Sequence, residues 1–222
     1  TGVFSHEAVG HACEADSVIS GESILKDKIE KRIASDKVSI YDDPTFPKAF
    51  GYYPYDDEGV KTRKTQLLKD GILKGFLHSR ETAGRLKTKS TGNARAQSVG
   101  HFPIVRMSNE HFEPGDFSFE ELKDMKLGLY VEGMKGGQTD IAAGNYQFAA
   151  EEGYIIEDGE MKEPLRDIVI FGSILETLKN VDAVGKETRF NNIGMCGKSG
   201  QGVPVSDGGP NIRVRGVRVG GA

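Results

Sequence analysis

Two histidines and a glutamate near the start of the chain, in His6-Glu7-Ala8-Val9-Gly10-His11, are the residue types that hold a metal ion and move a proton beside it. The pattern is one residue longer than the His-Glu-x-x-His of ordinary zinc peptidases, in which both imidazoles stand on one helix face. On a regular helix a step of five residues turns the chain through about 500°, which leaves the two rings about 140° apart and unable to share a tetrahedral ion. A single wider turn removes the obstacle, so the spacing predicts a π-turn or a break around residues 8–11, with Gly10 expected to ease the distortion. Two unrelated histidines on one helix would give the same letters. With five histidines and 33 acidic residues in the chain, such a pattern arises by accident in roughly one comparable sequence in a hundred.

Two imidazoles leave zinc short of a third protein ligand, and one thiolate with two nitrogens is an accepted catalytic set. Of the two cysteines, Cys196 is the better candidate: it stands in a Gly-rich segment read as an exposed turn, where Gly194 and Gly197 allow close approach of the backbone. Cys13, two residues beyond His11, reads as a small buried thiol. Glu14 and Asp16 could accept from an imidazole N–H or could equally face solvent. Residues 192–199 come within one position of a phosphate-binding loop, but Asn192 replaces its first glycine, and Gly200, Gly202 and Pro204 block the helix that must follow. Lys198 and Ser199 then read as residues beside the metal. His78, His101 and His111 read as structural, Met107 and Met125 as core filler, and the Tyr52–Tyr55 cluster as either a groove lining or loop packing.

These residues need elements to carry them. Residues 3–19 have apolar side chains at helical spacing and predict one helix of about four turns, bearing the histidines. Residues 21–61 are charged and turn-rich and predict a long ordered loop with one strand at 37–41. Asp70-Gly71 between 62–69 and 72–78, and Asp158-Gly159 between 154–157 and 160–164, are two-residue signals for type I′ hairpins. Short helices are expected at 79–86, 118–125 and 173–178, the last two opened by the capping boxes Ser118/Glu121 and Ser173/Glu176. Further strands are expected at 104–108, 127–134, 145–150, 168–171 and 212–219, and nothing in the Gly-rich stretch 194–221 supports a helix. The sum is an α+β fold, mainly antiparallel sheet, with a metal-binding N-terminal helix and two or three short helices.

A chain of 222 residues with 37% apolar side chains fits one domain spanning 1–222. A net charge of −4 gives no sign of a nucleic-acid or membrane-surface partner. No apolar run is long enough to span a bilayer, no n-region and h-region of a signal peptide open the sequence, and two cysteines are too few for a disulfide scaffold, so the expected location is cytoplasmic. The start at Thr1, without an initiator Met, reads as a fragment or processed product.

The segments HEAVGHACEAD at 6–16, GGQTDIAAGNYQFAAEEGYIIEDGE at 136–160 and GMCGKSGQGVPVSDGGPNIRVRGVRVGG at 194–221 resemble the C-terminal domain of the TldD/PmbA metallopeptidases, with TQLLKDGILKGFL at 65–77 and PIVRMSN at 103–109 in support. The resemblance implies zinc held by His6, His11 and Cys196, with Glu7 as the catalytic glutamate. It places the chain on the TldD side of the family, because the PmbA/TldE-type subunit lacks the metal motif. It further implies small, extended or unfolded polypeptides as substrates, a homodimer or a heterodimer with a PmbA/TldE-like subunit, and a further domain ahead of residue 1 in family members. The expected activity is peptide-bond hydrolysis, in which zinc polarises the scissile carbonyl and Glu7 takes a proton from the attacking water. The alternative is a non-catalytic metal-binding domain that scaffolds assembly, which a fourth protein ligand on the metal would favour.

Overall fold

The computed structural model describes residues 1–220, with the side chains of 191–193 excepted; the last position of the Gly-rich stretch, Gly221, lies outside the described residues. The chain opens with α1 (Gly2–Phe4), which runs on into a π-helical segment at Ser5–Gly10 and a 3-10 turn at His11–Cys13. Glu14 is extended (φ −72°, ψ 120°), and α2 (Ala15–Ser20) follows it. The single helix expected at 3–19 is therefore three helical forms and a break. The wide turn that the histidine spacing demands is present, its hydrogen bond running from His11 N–H to the His6 carbonyl.

After the turn-rich stretch come β1 (Ile40–Asp42), β2 (Thr65–Lys69), β3 (Ile72–Leu73), α3 (Arg80–Arg85), β4 (Ala94–Arg95), β5 (Ile104–Val105), β6 (Asn109–Phe112) and α4 (Phe119–Lys123). Then follow β7 (Leu127–Asp140), β8 (Asn145–Glu157), β9 (Glu160–Leu165), β10 (Val169–Ser173), α5 (Ile174–Lys179), β11 (Val181–Lys198), β12 (Gln201–Val214) and β13 (Arg218–Gly220). One sheet has the order β11-β12-β6-β1-β2-β3, antiparallel except where β12 meets β6. The other has the order β13-β10-β8-β7, with β9 sharing the β10 edge of β8. A two-stranded ribbon of β4 and β5 completes the set.

Both expected hairpins form. Asp70-Gly71 and Asp158-Gly159 have positive φ at both turn residues, as a type I′ turn requires. Ser199-Gly200 does the same between β11 and β12 (φ 50° and 74°). The Gly-rich segment around Cys196 is thus the tip of a long hairpin and not the exposed turn expected of it. Its glycines serve close approach: a Cβ on Gly208 would lie 2.4 Å from the Arg189 carbonyl, and one on Gly2 would lie 2.6 Å from the Gly208 nitrogen. The capping box at Ser118/Glu121 forms, but Ser173 makes no side-chain cap to α5. The strand expected at 104–108 stops at Val105, and the one at 212–219 is divided between the end of β12 and β13.

The N-terminal helical run lies between the two sheets. Phe4 packs edge-on against Tyr146 and Phe148 of β8, with ring centroids 5.2 and 6.5 Å away, and all three side chains are buried. On its other side Gly10 sits so close to Met107 and to Glu110 of β6 that a Cβ would fall 1.9 Å from the Met107 sulfur and 2.2 Å from Glu110 Oε2. Gly10 itself has ordinary helical angles (φ −59°, ψ −54°). Its role is therefore to make room for β6, and not the conformational easing expected from the sequence. Buried aliphatics from the helical run and both sheets form one core, at about 1.5–3 kcal/mol for each large side chain removed from water.

Candidate metal centre

The wide turn brings His6 and His11 to the same side of the helical run, with ring centroids 5.3 Å apart and planes at 85°. Cys196 reaches them from the end of β11. One side-chain ligand atom from each of His6, His11 and Cys196 lies within 4.8 Å of the others, and among the described residues these form the one such cluster. Cys196 Sγ is 3.6 Å from His11 Nε2. A tetrahedral zinc with Zn–N near 2.0–2.1 Å and Zn–S near 2.3 Å separates its nitrogen and sulfur ligands by about 3.5 Å, so the pair already stands at the spacing the ion requires. Nδ1 of His6 is buried with no hydrogen-bond partner, an orphan that a bound ion or its surroundings would satisfy. The three donors fit zinc.

Glu7 projects from the same turn toward the cluster, its Oε2 3.9 Å from His11 Nε2. Its side chain is 40% exposed, against 17% for His11, so it borders both the cluster and solvent. Cys13 is fully buried, as the sequence suggested; burial pushes its thiol well above the usual range, with Glu110 and Glu14 adding to the effect.

Glu14 and Asp16, indistinguishable by sequence, take different roles. Glu14 is fully buried, and its Oε2 accepts from His11 Nδ1 at 2.9 Å, which turns Nε2 of His11 toward Cys196. Asp16 touches no imidazole; both its oxygens lie 2.8 Å from Lys198 Nζ. Lys198 Nζ also donates to Glu14 Oε2 at 3.0 Å and to the Val105 carbonyl at 3.2 Å. With its ammonium on two carboxylates and no helix after it, Lys198 does not belong to a phosphate loop; of the residues considered for one, the side chains of Asn192 and Ile193 lie outside the described residues.

Three features near the cluster escaped the sequence reading. Arg106, fully buried, donates from its guanidinium to the carbonyls of Cys196 and Gln201, holding the hairpin tip from behind. Glu110, paired in register with Asp42 of β1, is buried with both carboxyl oxygens unpartnered. Burial, and then the Asp42 carboxylate, push the Glu110 carboxyl well above the usual range. Asp42 accepts from Ser108 and Asn93. An Asp-x-x-x-Glu alternation would have flagged neither carboxylate, since the two lie on different strands. His78, His101 and His111 stand apart from the cluster and bond locally to Thr82, Ser98 and the Asn109 carbonyl.

Burial opposes charge on Cys196, but hydrogen bonds with His11 and His6 outweigh it and bring the thiol down to about 5. Burial likewise opposes a charged His11, and the contacts with Cys196 and Glu14 overcome it, raising the imidazole well above 6.5. Without metal the site thus favours a thiolate beside an imidazolium, the polarisation that suits a cation replacing the imidazolium proton.

The profile of the PmbA/TldA metallopeptidase C-terminal domain matches residues 1–221. A metalloprotease of Methanothermobacter thermautotrophicus is 53% identical over 222 residues, which are all of this chain and 48% of that protein. A zinc metalloprotease TldD homolog of Saccharolobus solfataricus is 43% identical, over 99% of this chain and 49% of its own length. Among solved structures, TldE of Thermococcus kodakarensis superposes with a TM-score of 0.77 at 27% identity, covering 95% of this chain and 47% of that one. The chain spans about half the length of the curated relatives it matches.

Proposed function

This chain belongs to the PmbA/TldD metallopeptidase family, and within it we propose that His6, His11 and Cys196 bind zinc and that Glu7 is the general base of peptide-bond hydrolysis. The observation that carries the reading is the meeting of the three donor atoms within 4.8 Å, with Glu7 3.9 Å from one of them. Only three protein ligands lie in the cluster among the described residues, which supports a catalytic site over a structural one, since structural zinc fills all four positions from the protein.

Zinc, when bound, supplies a Lewis acid for the scissile carbonyl and lowers the pKa of water toward about 7. The protein supplies the rest. Glu14 fixes the tautomer of His11, and Glu7 Oε2 takes the proton of the attacking water and returns it to the leaving amine. The substrates are small, extended or unfolded polypeptides. β11 lies at the edge of its sheet and carries Cys196, so a peptide added to that edge as a strand would bring its carbonyls past the cluster. The likeness to TldE supports assembly with a homologous partner subunit, and the single domain at 1–222 then forms the metal-bearing part of a larger protein.

Metal analysis and peptide cleavage by the full-length protein with its partner test the assignment. We expect about one zinc per chain, as the ligand set implies. Cys196→Ala should remove the zinc, whereas Glu7→Gln should keep it and lose cleavage by roughly 100-fold or more. Full zinc in Cys196→Ala would refute the ligand set, and an unimpaired Glu7→Gln would refute the base.

A further inference from the structure

Two residues of β11 face two residues of the N-terminal helical run. Cys196 and Lys198 stand two apart on a strand, hence on one face and roughly 6.5 Å from each other. His11 and Glu14 stand three apart on the opposing element. Cys196 meets His11, with sulfur and nitrogen 3.6 Å apart, and Lys198 meets Glu14 at 3.0 Å. The contacts run in parallel and are closed crosswise, because the Glu14 oxygen that receives Lys198 is the one that receives His11 Nδ1.

From this ladder we infer that Lys198 is a positioning residue for the metal ligand His11, acting through Glu14. The inference rests on the zinc reading given above. The Lys198 side chain is 17% exposed and its Nζ has four acceptor contacts, to Glu14 Oε2, both Asp16 oxygens and the Val105 carbonyl, so its long side chain is held in one place. The Glu14 side chain is 1% exposed, so its Oε2 is held by the two donors the protein supplies, His11 Nδ1 at 2.9 Å and Lys198 Nζ at 3.0 Å. His11 is thereby held with Nδ1 protonated and the lone pair of Nε2 aimed at the ion. The same bridge pins the strand that carries Cys196 to the helix that carries the histidines.

Zinc affinity, read by competition with a chelating indicator, tests this on the wild type, Lys198→Met, Lys198→Arg, Glu14→Gln and the Glu14→Gln/Lys198→Met double variant. Lys198→Met should weaken zinc binding by roughly 10- to 100-fold, the range found when the partner of a ligating histidine is lost. Lys198→Arg should recover most of it. In the Glu14→Gln background Lys198→Met should add less than about threefold, because its route of action is already cut. Cobalt-loaded Lys198→Met should keep its thiolate charge-transfer band, locating the defect at His11 and not at Cys196. In the metal-free protein, the Nδ1 proton of His11 should be visible by nitrogen-correlated NMR in the wild type and lost to exchange in Lys198→Met. Zinc affinity within twofold of wild type in Lys198→Met, losses that multiply in the double variant, or an unchanged His11 proton would each overturn the inference. Absence of zinc from every variant would defeat the metal reading alone, since the proton measurement needs no metal.

Discussion

Gly10 separates the two histidines from the sheet below, and its missing side chain is a steric requirement. A Cβ there would collide with the sulfur of Met107 and the carboxyl of Glu110, both fully buried. On helix propensity alone, Gly10→Ala should stabilise by about 1 kcal/mol. The collision reverses the sign, and urea unfolding of the metal-free protein should show a loss of about 2–3 kcal/mol, in the upper part of the range for overpacked cores. Met107→Ala should be less harmful in the Gly10→Ala background than alone, because it vacates the space. Individual residues were readable from the sequence to the extent that their chemistry was self-contained. The types and spacing of His6, Glu7 and His11 predicted the wide turn that the structure has and suggested a metal reading for the residues it brings together. Ligand arithmetic singled out Cys196 from the two cysteines, and Cys196 is the one that meets the histidines. Glu14, Asp16 and Lys198 could not be sorted, because which carboxylate meets the imidazole depends on the extended break at Glu14 and on the register of a strand more than 180 positions away.

Elements with local signals were readable too. Asp-Gly turns and the Ser118/Glu121 cap fix their own backbone, and the hairpins at 70–71 and 158–159 and the helix α4 stand where those signals put them, whereas α5 forms without the Ser173 cap. β6 and the β11–β12 hairpin were not, because their pattern is set by neighbours. All four residues of β6 are buried, which erases the alternation, and β12 carries Pro204, Pro210 and three glycines. Nor did any cap betray the anchoring of the loop before α3. There the carbonyl of His78 accepts from the Thr91 and Asn93 amides and from Ser90 and Thr91 hydroxyls, while its ring bonds Thr82 at 3.1 Å. Burial, aided by the Arg63 charge, lowers the His78 imidazole to about 4. In the unfolded chain it protonates near 6.5, as an ordinary imidazole does. The unfolded state therefore binds the proton first as pH falls, so the stability present above pH 6.5 declines between about 6.5 and 4, by roughly 2 kcal/mol after allowing for solvent screening. Urea unfolding of the chelator-treated protein at pH 7 and pH 4.5 checks this. His78→Gln, which cannot titrate, should lose less stability than the wild type over that interval by about that amount; equal losses would contradict the assignment.

Across the molecule, the candidate metal centre joins what the chain keeps apart. His6 and His11 lie in a helical run clamped between two sheets, and Cys196 arrives on the edge strand of one of them. The helical run is short and irregular, with a π segment, a 3-10 turn and a break in its first twenty residues, so its internal hydrogen bonds alone give it little stability. It is held by Phe4 against β8, by the close approach of Gly2 and Gly10 to β12 and β6, and by the Glu14–Lys198 contact. A zinc ion on both the helical run and β11 would add a cross-link over a sequence distance comparable to the whole chain, and it would bind the folded state far better than the unfolded one. Free zinc at about 100 times its dissociation constant should then stabilise the protein by about 2.7 kcal/mol, which for a chain of this size raises the melting temperature by roughly 5–10 °C. Differential scanning calorimetry with and without a chelator reads the shift. Cys196→Ser should abolish it without removing the hydrophobic core, and Glu7→Gln should leave it intact, since Glu7 is assigned to the reaction and not to the ion. A zinc-dependent shift that survived in Cys196→Ser would mean that the ion stabilises the protein from another place, and the link between the first helical run and the last long hairpin would have to be sought in packing alone.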